Sequence, residues 1–188
     1  MHSTQKIVIP IGTSTTPLAR MIPPITAWKP NTSTLQSMMC SRCSARTRAT
    51  PPSDVVAEQA RIDRADALVL AFPIYWWSLP GLLKGWIDRV FVNGWAIDYG
   101  PDTPVVKKLR HLQVHLLALG AADDDAFDRH GYAKAMRTQI DYGIFDYCGA
   151  QVVTSALLLE SESGGAQAHL DKARAVGEGV FDTETVAG

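Results

Sequence analysis

The sequence predicts an α/β fold, a doubly wound parallel sheet of about five strands with helices on both faces. Two observations carry this. Short continuous apolar runs, of which Ala67-Leu68-Val69-Leu70-Ala71-Phe72 is the cleanest, read as strands covered on both faces, the signature of a parallel sheet. After that run, Leu79, Leu82, Leu83, Trp86, Ile87 and Val90 recur at helical spacing along one face. Open α/β sheets bind ligands outside the carboxyl ends of their strands, where backbone N–H groups and helix N-termini point outward. The turn between strand and helix, Pro73-Ile74-Tyr75-Trp76-Trp77-Ser78, is therefore where function is expected. Large apolar rings in such a turn need a flat apolar cover; the alternative is that both tryptophans plug a sheet edge or a dimer interface.

Taken in order, Lys6 to Ile11 reads as the first strand, weakened by Pro10, which has no N–H to donate to a ladder. Gly12-Thr13-Ser14-Thr15-Thr16 follows, either an anion-binding loop or a plain polar turn. From Met21 to Pro52 the chain is atypical. Pro23-Pro24, Lys29-Pro30 and Pro51-Pro52 interrupt it, and the expected first helix and second strand are not visible. Cys40-Ser41-Arg42-Cys43 has the spacing of half a zinc site but no second pair and no neighbouring histidine, so it reads as neither metal nor redox centre.

Val55 to Asp66 reads as a helix feeding the strand at Ala67. Ser78 is expected to cap the next helix, with Pro80 in its first turn. Asn93 to Gly100 reads as a loop rich in rings. Leu112 to Leu119 is the next strand, ending at Gly120-Ala121, and its His115 reads as a core histidine. Asp123-Asp124-Asp125 opens a helix, where carboxylates suit the positive end of the dipole; three consecutive carboxylates diverge on a helix and make no metal site. That helix is expected to run through Ala135, Met136, Gln139 and Ile140 and to break at Gly143. Cys148 reads as a buried inert thiol. Gln151 to Glu160 is the last strand, Gly164-Gly165 a turn, and Ala166 to Glu178 the closing helix.

The chain has 188 residues, sized for a single domain over 1–188, and a net charge of −1, which argues against a nucleic-acid partner held by phosphate neutralisation. No apolar run has the length of a membrane span, and the N-terminus lacks a charged-then-apolar leader pattern. Three cysteines without the spacing of a secreted framework read as free thiols in a reducing cytoplasm.

The run from Phe72 to Pro80, continued by Leu83-Lys84-Gly85-Trp86-Ile87-Asp88-Arg89-Val90-Phe91, resembles the flavodoxin-like NAD(P)H:quinone oxidoreductases. That family includes DT-diaphorase, the bacterial modulator-of-drug-activity reductases and the ancillary subunits of potassium-efflux systems. A second block, Gly120-Ala121, Phe127, His130-Gly131-Tyr132, Gln139, Gly143-Ile144-Phe145 and Tyr147-Cys148-Gly149, resembles the bacterial branch. The resemblance spans roughly Asp54 to Val180 and breaks off upstream. One reading of that break is a frame-shifted translation over 21–52, tested by translating the other two frames.

The resemblance implies a flavodoxin-like sheet, FMN or FAD as cofactor, NAD(P)H as co-substrate, and ping-pong hydride transfer to a quinone or a related azo or nitro acceptor. It places the flavin ring against Pro73, Ile74, Tyr75, Trp76 and Trp77, with Leu119, Gly120, Ala121 and Phe127 beside it. Thr13, Ser14 and Thr15 stand at the flavin phosphate. Trp95, Ile97 and Tyr99 are expected to contact the quinone across a homodimer interface, with local packing as the alternative. Phe127 stands where the family has a tyrosine, leaving His130 and Tyr132 as the catalytic candidates. At the strand end, Ala118-Leu119-Gly120-Ala121 replaces the hydroxyl residues usual in the family. A second functional reading follows from that departure: a flavin-poor regulatory subunit like the potassium-efflux ancillary proteins. The absence of Gly-x-Gly-x-x-Gly after a strand makes the nicotinamide cofactor a visiting substrate.

Overall fold

A computed structural model describes residues 6–10, in backbone course only, and residues 51–162 and 166–180. Among the described residues, four parallel strands form the main sheet in the order β1-β2-β5-β6: β1 Lys6–Pro10, β2 Ala67–Pro73, β5 Gln113–Leu119 and β6 Gln151–Leu158. The register aligns the strand ends, with Pro73 beside Leu119 and Leu119 beside Leu158. Pro10 is the last residue of β1, where the missing N–H is tolerated. The expected second strand, Thr13 to Thr15 and the Cys40–Cys43 pair lie outside the described residues.

Helix α1 (Ser53–Asp63) precedes β2, and α2 (Gly81–Val90) follows it. Between α2 and β5 lies an antiparallel hairpin, β3 (Ile97–Gly100) with β4 (Thr103–Lys107). Three helical segments join β5 to β6: α3 (Asp124–His130), α4 (Tyr132–Met136) and a π-helix (Arg137–Asp146). Helix α5 (Ala166–Gly179) closes the described chain, and helices lie on both sides of the sheet. The core is one cluster in which Leu68, Leu70 and Phe72 of β2 meet Val114 and Leu116 of β5, Leu83, Ile87 and Val90 of α2, and Phe127, Ile140 and Phe145. Gln59 of α1 donates to the Val90 carbonyl at 3.0 Å, and Arg89 grips Asp54 with two bonds of 2.8 and 3.2 Å, so the C-terminal end of α2 is tied to α1.

Four local expectations are corrected. Ser78 does not cap α2: Pro80 stands at the cap without a side-chain bond, and Ser78 is consumed by the preceding turn. The buried stripe of α2 is narrower than its apolar pattern, since Leu82 is exposed and Trp86 half-buried. Ring-rich Asn93–Gly100 is not all loop, because Ile97–Gly100 pairs with Thr103–Lys107 across the Pro101-Asp102 turn. The third helix breaks at Gly131, where φ is +68°, and not at Gly143. Gly143 lies inside the π-helix, where an added Cβ would sit 3.1 Å from the Thr138 carbonyl oxygen.

Candidate functional site

The carboxyl end of β2 leads into a tight turn. The Tyr75 N–H donates to the Ser78 carbonyl and the Ser78 N–H to the Tyr75 carbonyl, both at 3.1 Å, leaving Trp76 and Trp77 as the two central residues. Their φ values are +49° and +59°, the double left-handed geometry of a type I′ turn. Asn and Gly adopt that geometry readily; a bulky L-residue in it costs about 1–3 kcal/mol. Strained backbone of this kind clusters at functional sites. Glu160, the remaining non-glycine residue at positive φ among the described residues, follows β6 at the same end of the sheet.

The two tryptophans part company. Trp76 is 93% exposed. Trp77 lies with its indole stacked on the Tyr132 ring, centroids 3.8 Å apart and planes 7° from parallel, and meets the Phe127 ring edge-on at 5.6 Å. An aromatic pair contributes about 0.5–1.5 kcal/mol beyond its buried area, comparable to the strain of one residue in the turn. His130 is exposed, with its ring 5.2 Å from that of Tyr132. The structure thus brings Trp77, Phe127, Tyr132 and His130 from two distant stretches into one aromatic wall. Phe127 and Tyr132 reach it because Asp123 caps α3 by accepting the Ala126 N–H at 2.8 Å and Gly131 turns the chain between α3 and α4.

Neighbouring β5 ends against the same turn. The Ile74 N–H donates to the Leu119 carbonyl at 2.7 Å, and the Gly120 N–H to the Leu158 carbonyl at 3.0 Å. A Cβ on Gly120 would sit 3.0 Å from Leu159 Cδ2 and 3.2 Å from Ile74 Cδ1, so glycine is required here by the packing of its neighbours. Among the described residues, no acceptor takes the N–H of Trp76, Trp77, Ala121 or Ala122. Free donors on two adjacent strand ends, beside exposed indole and phenol rings, fit a flat group rich in hydrogen-bond acceptors. The donor set suits a flavin ring, with Trp76, Trp77 and Ala121 as the groups that would hold it.

The remaining candidates are dispersed. A cleft of about 400 Å³ opens between α2 and the π-helix, lined by Ser78, Ile87, Asp88, Phe91, Ile97, Ile144 and Tyr147 among others. Ile97 therefore faces a cavity, whereas Trp95 and Tyr99 do not line it. Trp95 packs edge-to-face on Phe91 at 5.7 Å and donates its indole N–H to Asp63 at 3.0 Å, a local structural role. Tyr99 is 48% exposed, its backbone tied to the Asn93 side chain. Sequence reasoning missed the π-helix wall of this cleft, although Ile140, Ile144 and Tyr147 recur at i, i+4 and i+7; the break expected at Gly143 hid that face.

His115 is buried in β5, with Nδ1 3.0 Å from Thr154 Oγ1 and Nε2 without a partner among the described residues. Burial holds its pKa below the usual imidazole value. Burial likewise raises the Asp141 carboxyl, opposed by Arg137 at 3.8 Å, and raises the Cys148 thiol. No helix among the described residues is long and apolar enough to cross a membrane.

An α/β protein with a ligand-ready turn at the carboxyl edge of its parallel sheet is the class that fold and site define. Residues 15–178 match the family described as flavodoxin-like fold, and the chain belongs to it. That match begins upstream of Asp54, where the resemblance in the sequence sets in. The chain is 48% identical over 116 residues to the ribosyldihydronicotinamide dehydrogenase (quinone) of Homo sapiens, covering 58% of this chain and 48% of that protein. It is 33% identical over 108 residues to NAD(P)H dehydrogenase (quinone) 1 of Rattus norvegicus, covering 56% of this chain and 39% of that one. The chain spans less than half the length of these curated relatives. An NAD(P)H:quinone oxidoreductase from Methanothermobacter marburgensis superposes with a TM-score of 0.64 at 24% identity, covering 87% of this chain and 79% of that one. At that identity the likeness concerns the fold.

Proposed function

We propose that this chain carries out flavin-dependent, two-electron reduction of quinones, or of related azo or nitro acceptors, by NAD(P)H. The carrying observation is the Trp76–Trp77 turn, a strained loop that, among the described residues, leaves two amide donors free beside exposed aromatic faces at the sheet's carboxyl edge. Relatives named as quinone dehydrogenases support the same reading. Pro73, Ile74, Tyr75, Trp76 and Trp77 form one side of the ring site, Leu119, Gly120 and Ala121 the other, and Phe127 backs it. Thr13, Ser14 and Thr15 are assigned to the phosphate end. A bound FMN or FAD would supply the redox chemistry, taking a hydride from NAD(P)H and passing one to the acceptor.

The protein's own part is to bind, orient and exclude water. Exposed Trp76 and Tyr75 offer flat apolar surface beside the bound flavin, against which nicotinamide and acceptor would lie in turn in one place, and this supports a ping-pong order. Phe127 lacks a hydroxyl, so His130 and Tyr132 are the groups placed to hold a proton near the site. Ile97 is assigned to the acceptor pocket in a homodimer of a cytoplasmic enzyme; Trp95, packed on Phe91 and bonded to Asp63, takes the local-packing alternative, and Tyr99 belongs to the exposed apolar surface. Exposed Leu82, Tyr99, Val105, Val106 and Tyr147 supply apolar surface for that pairing.

Purified protein should show flavin absorbance in the visible range, or gain it with FMN or FAD, and should oxidise NAD(P)H only when a quinone is present. Initial rates against both substrates should give parallel double-reciprocal lines. Colourless protein that binds neither flavin would instead favour the regulatory-subunit reading, which rests on the missing hydroxyls of Ala118-Leu119-Gly120-Ala121.

A further inference from the structure

We infer that Tyr132 is a positioning residue: stacked on the Trp77 indole, it holds the Trp76–Trp77 turn in its left-handed form and so aims the two free amides. The inference rests on the flavin reading for what those amides serve. How the turn is held is argued from geometry alone.

A four-residue turn closed by the same Tyr75–Ser78 bonds can also form with both central residues at negative φ, where tryptophan is unstrained. That mirror-image turn points the central peptides the other way. Two tryptophans do not select the left-handed form by themselves, because only glycine, asparagine and aspartate visit it freely. A contact outside the turn must choose. Trp76, at 93% exposure, makes no ring contact among the described residues. Trp77 is held on one face by Tyr132 at 3.8 Å and 7°, and meets Phe127 edge-on.

Tyr132 in turn is not free to follow the indole elsewhere. It is the first residue of α4, directly after the left-handed Gly131, and its ring packs edge-on against buried Phe127 at 5.9 Å. The strand-end bond from Ile74 N–H to the Leu119 carbonyl anchors the other end of the turn. The segment between β5 and the π-helix therefore sets the hand of the turn after β2.

FMN binding, read by quenching of flavin fluorescence, tests this with three variants. Tyr132→Phe keeps the stack and should bind like the parent protein. Tyr132→Leu should weaken binding about five- to tenfold. Adding Trp77→Gly to Tyr132→Leu should recover most of that loss, since glycine takes positive φ without strain although the indole is gone. A double variant no tighter than Tyr132→Leu, or a Tyr132→Phe as weak as Tyr132→Leu, would overturn the inference, because each points to direct contact between ring or hydroxyl and flavin. Should Tyr132→Leu not fold, Trp77→Gly must bind FMN more tightly than Trp77→Ala, and equal affinities would refute it. If the parent protein takes up no flavin, the function reading fails, and a crystal structure of Tyr132→Leu decides the positioning role. Trp77 moving to negative φ supports it, and Trp77 remaining at positive φ ends it.

Discussion

His115 illustrates how far one side chain's position is set by its surroundings. Its sequence context, an apolar strand, marks it as a core residue, and it is 2% exposed. Among the described residues its partner is Thr154 of β6, whose pairing with β5 shifts register between Val114 and His115. Burial lowers its pKa, so the folded state stays neutral at a pH where the unfolded chain takes up a proton. The unfolded state then binds more protons, and stability falls as pH drops below the usual imidazole value. Urea melts should show this loss between about pH 7 and pH 5, and a His115→Gln variant should flatten the slope. Gly120 is a second case, where the reason for the residue lies in packing: Gly120→Ala should cost about 1–3 kcal/mol, because Leu159 and Ile74 already fill the space. An equal chemical-denaturation midpoint for Gly120→Ala would contradict this.

Among elements, α2 gives the sharpest contrast between pattern and burial. Leu82 and Leu83 are adjacent leucines with the same propensity, yet Leu83 is 0% exposed and Leu82 42%. Leu83→Ala should destabilise by about 2–5 kcal/mol. Leu82→Ala should stay within about 0.5 kcal/mol in the monomer. Denaturant midpoints of the two variants check this directly. The helical segments between β5 and β6 show why element boundaries escape sequence reading. Both Gly131 and Gly143 are available as breaks; Gly131 takes a left-handed conformation and ends α3, while Gly143 is absorbed into a π-helix whose spacing no α-helical pattern anticipates. The β3–β4 hairpin was hidden for a related reason: its strands are short, mostly exposed and carry Pro104, so neither alternation nor apolar runs mark them.

For the whole molecule, ligand linkage offers the clearest test of the site. FMN present at about a hundred times its dissociation constant adds about 2.7 kcal/mol to the folded state. For a chain of this size that raises the melting temperature by about 5–10 °C. Differential scanning fluorimetry with FMN, with FAD and with riboflavin separates recognition of the ring from recognition of the phosphate. A shift with riboflavin equal to that with FMN would show that Thr13, Ser14 and Thr15 do not hold a phosphate.

The parallel sheet and the location of the candidate turn after Phe72 follow from sequence alone. Apolar runs between helical stretches admit few topologies, and the Phe72–Phe91 block is specific to one family. What the turn presents could be decided only by the folded chain. The hand of the Trp76–Trp77 turn and the stacking of half-buried Trp77 on Tyr132 depend on residues some fifty positions downstream. Contacts of that separation leave no periodic trace in a sequence, because they are made between elements whose distance is set by the sheet register and not by chain spacing.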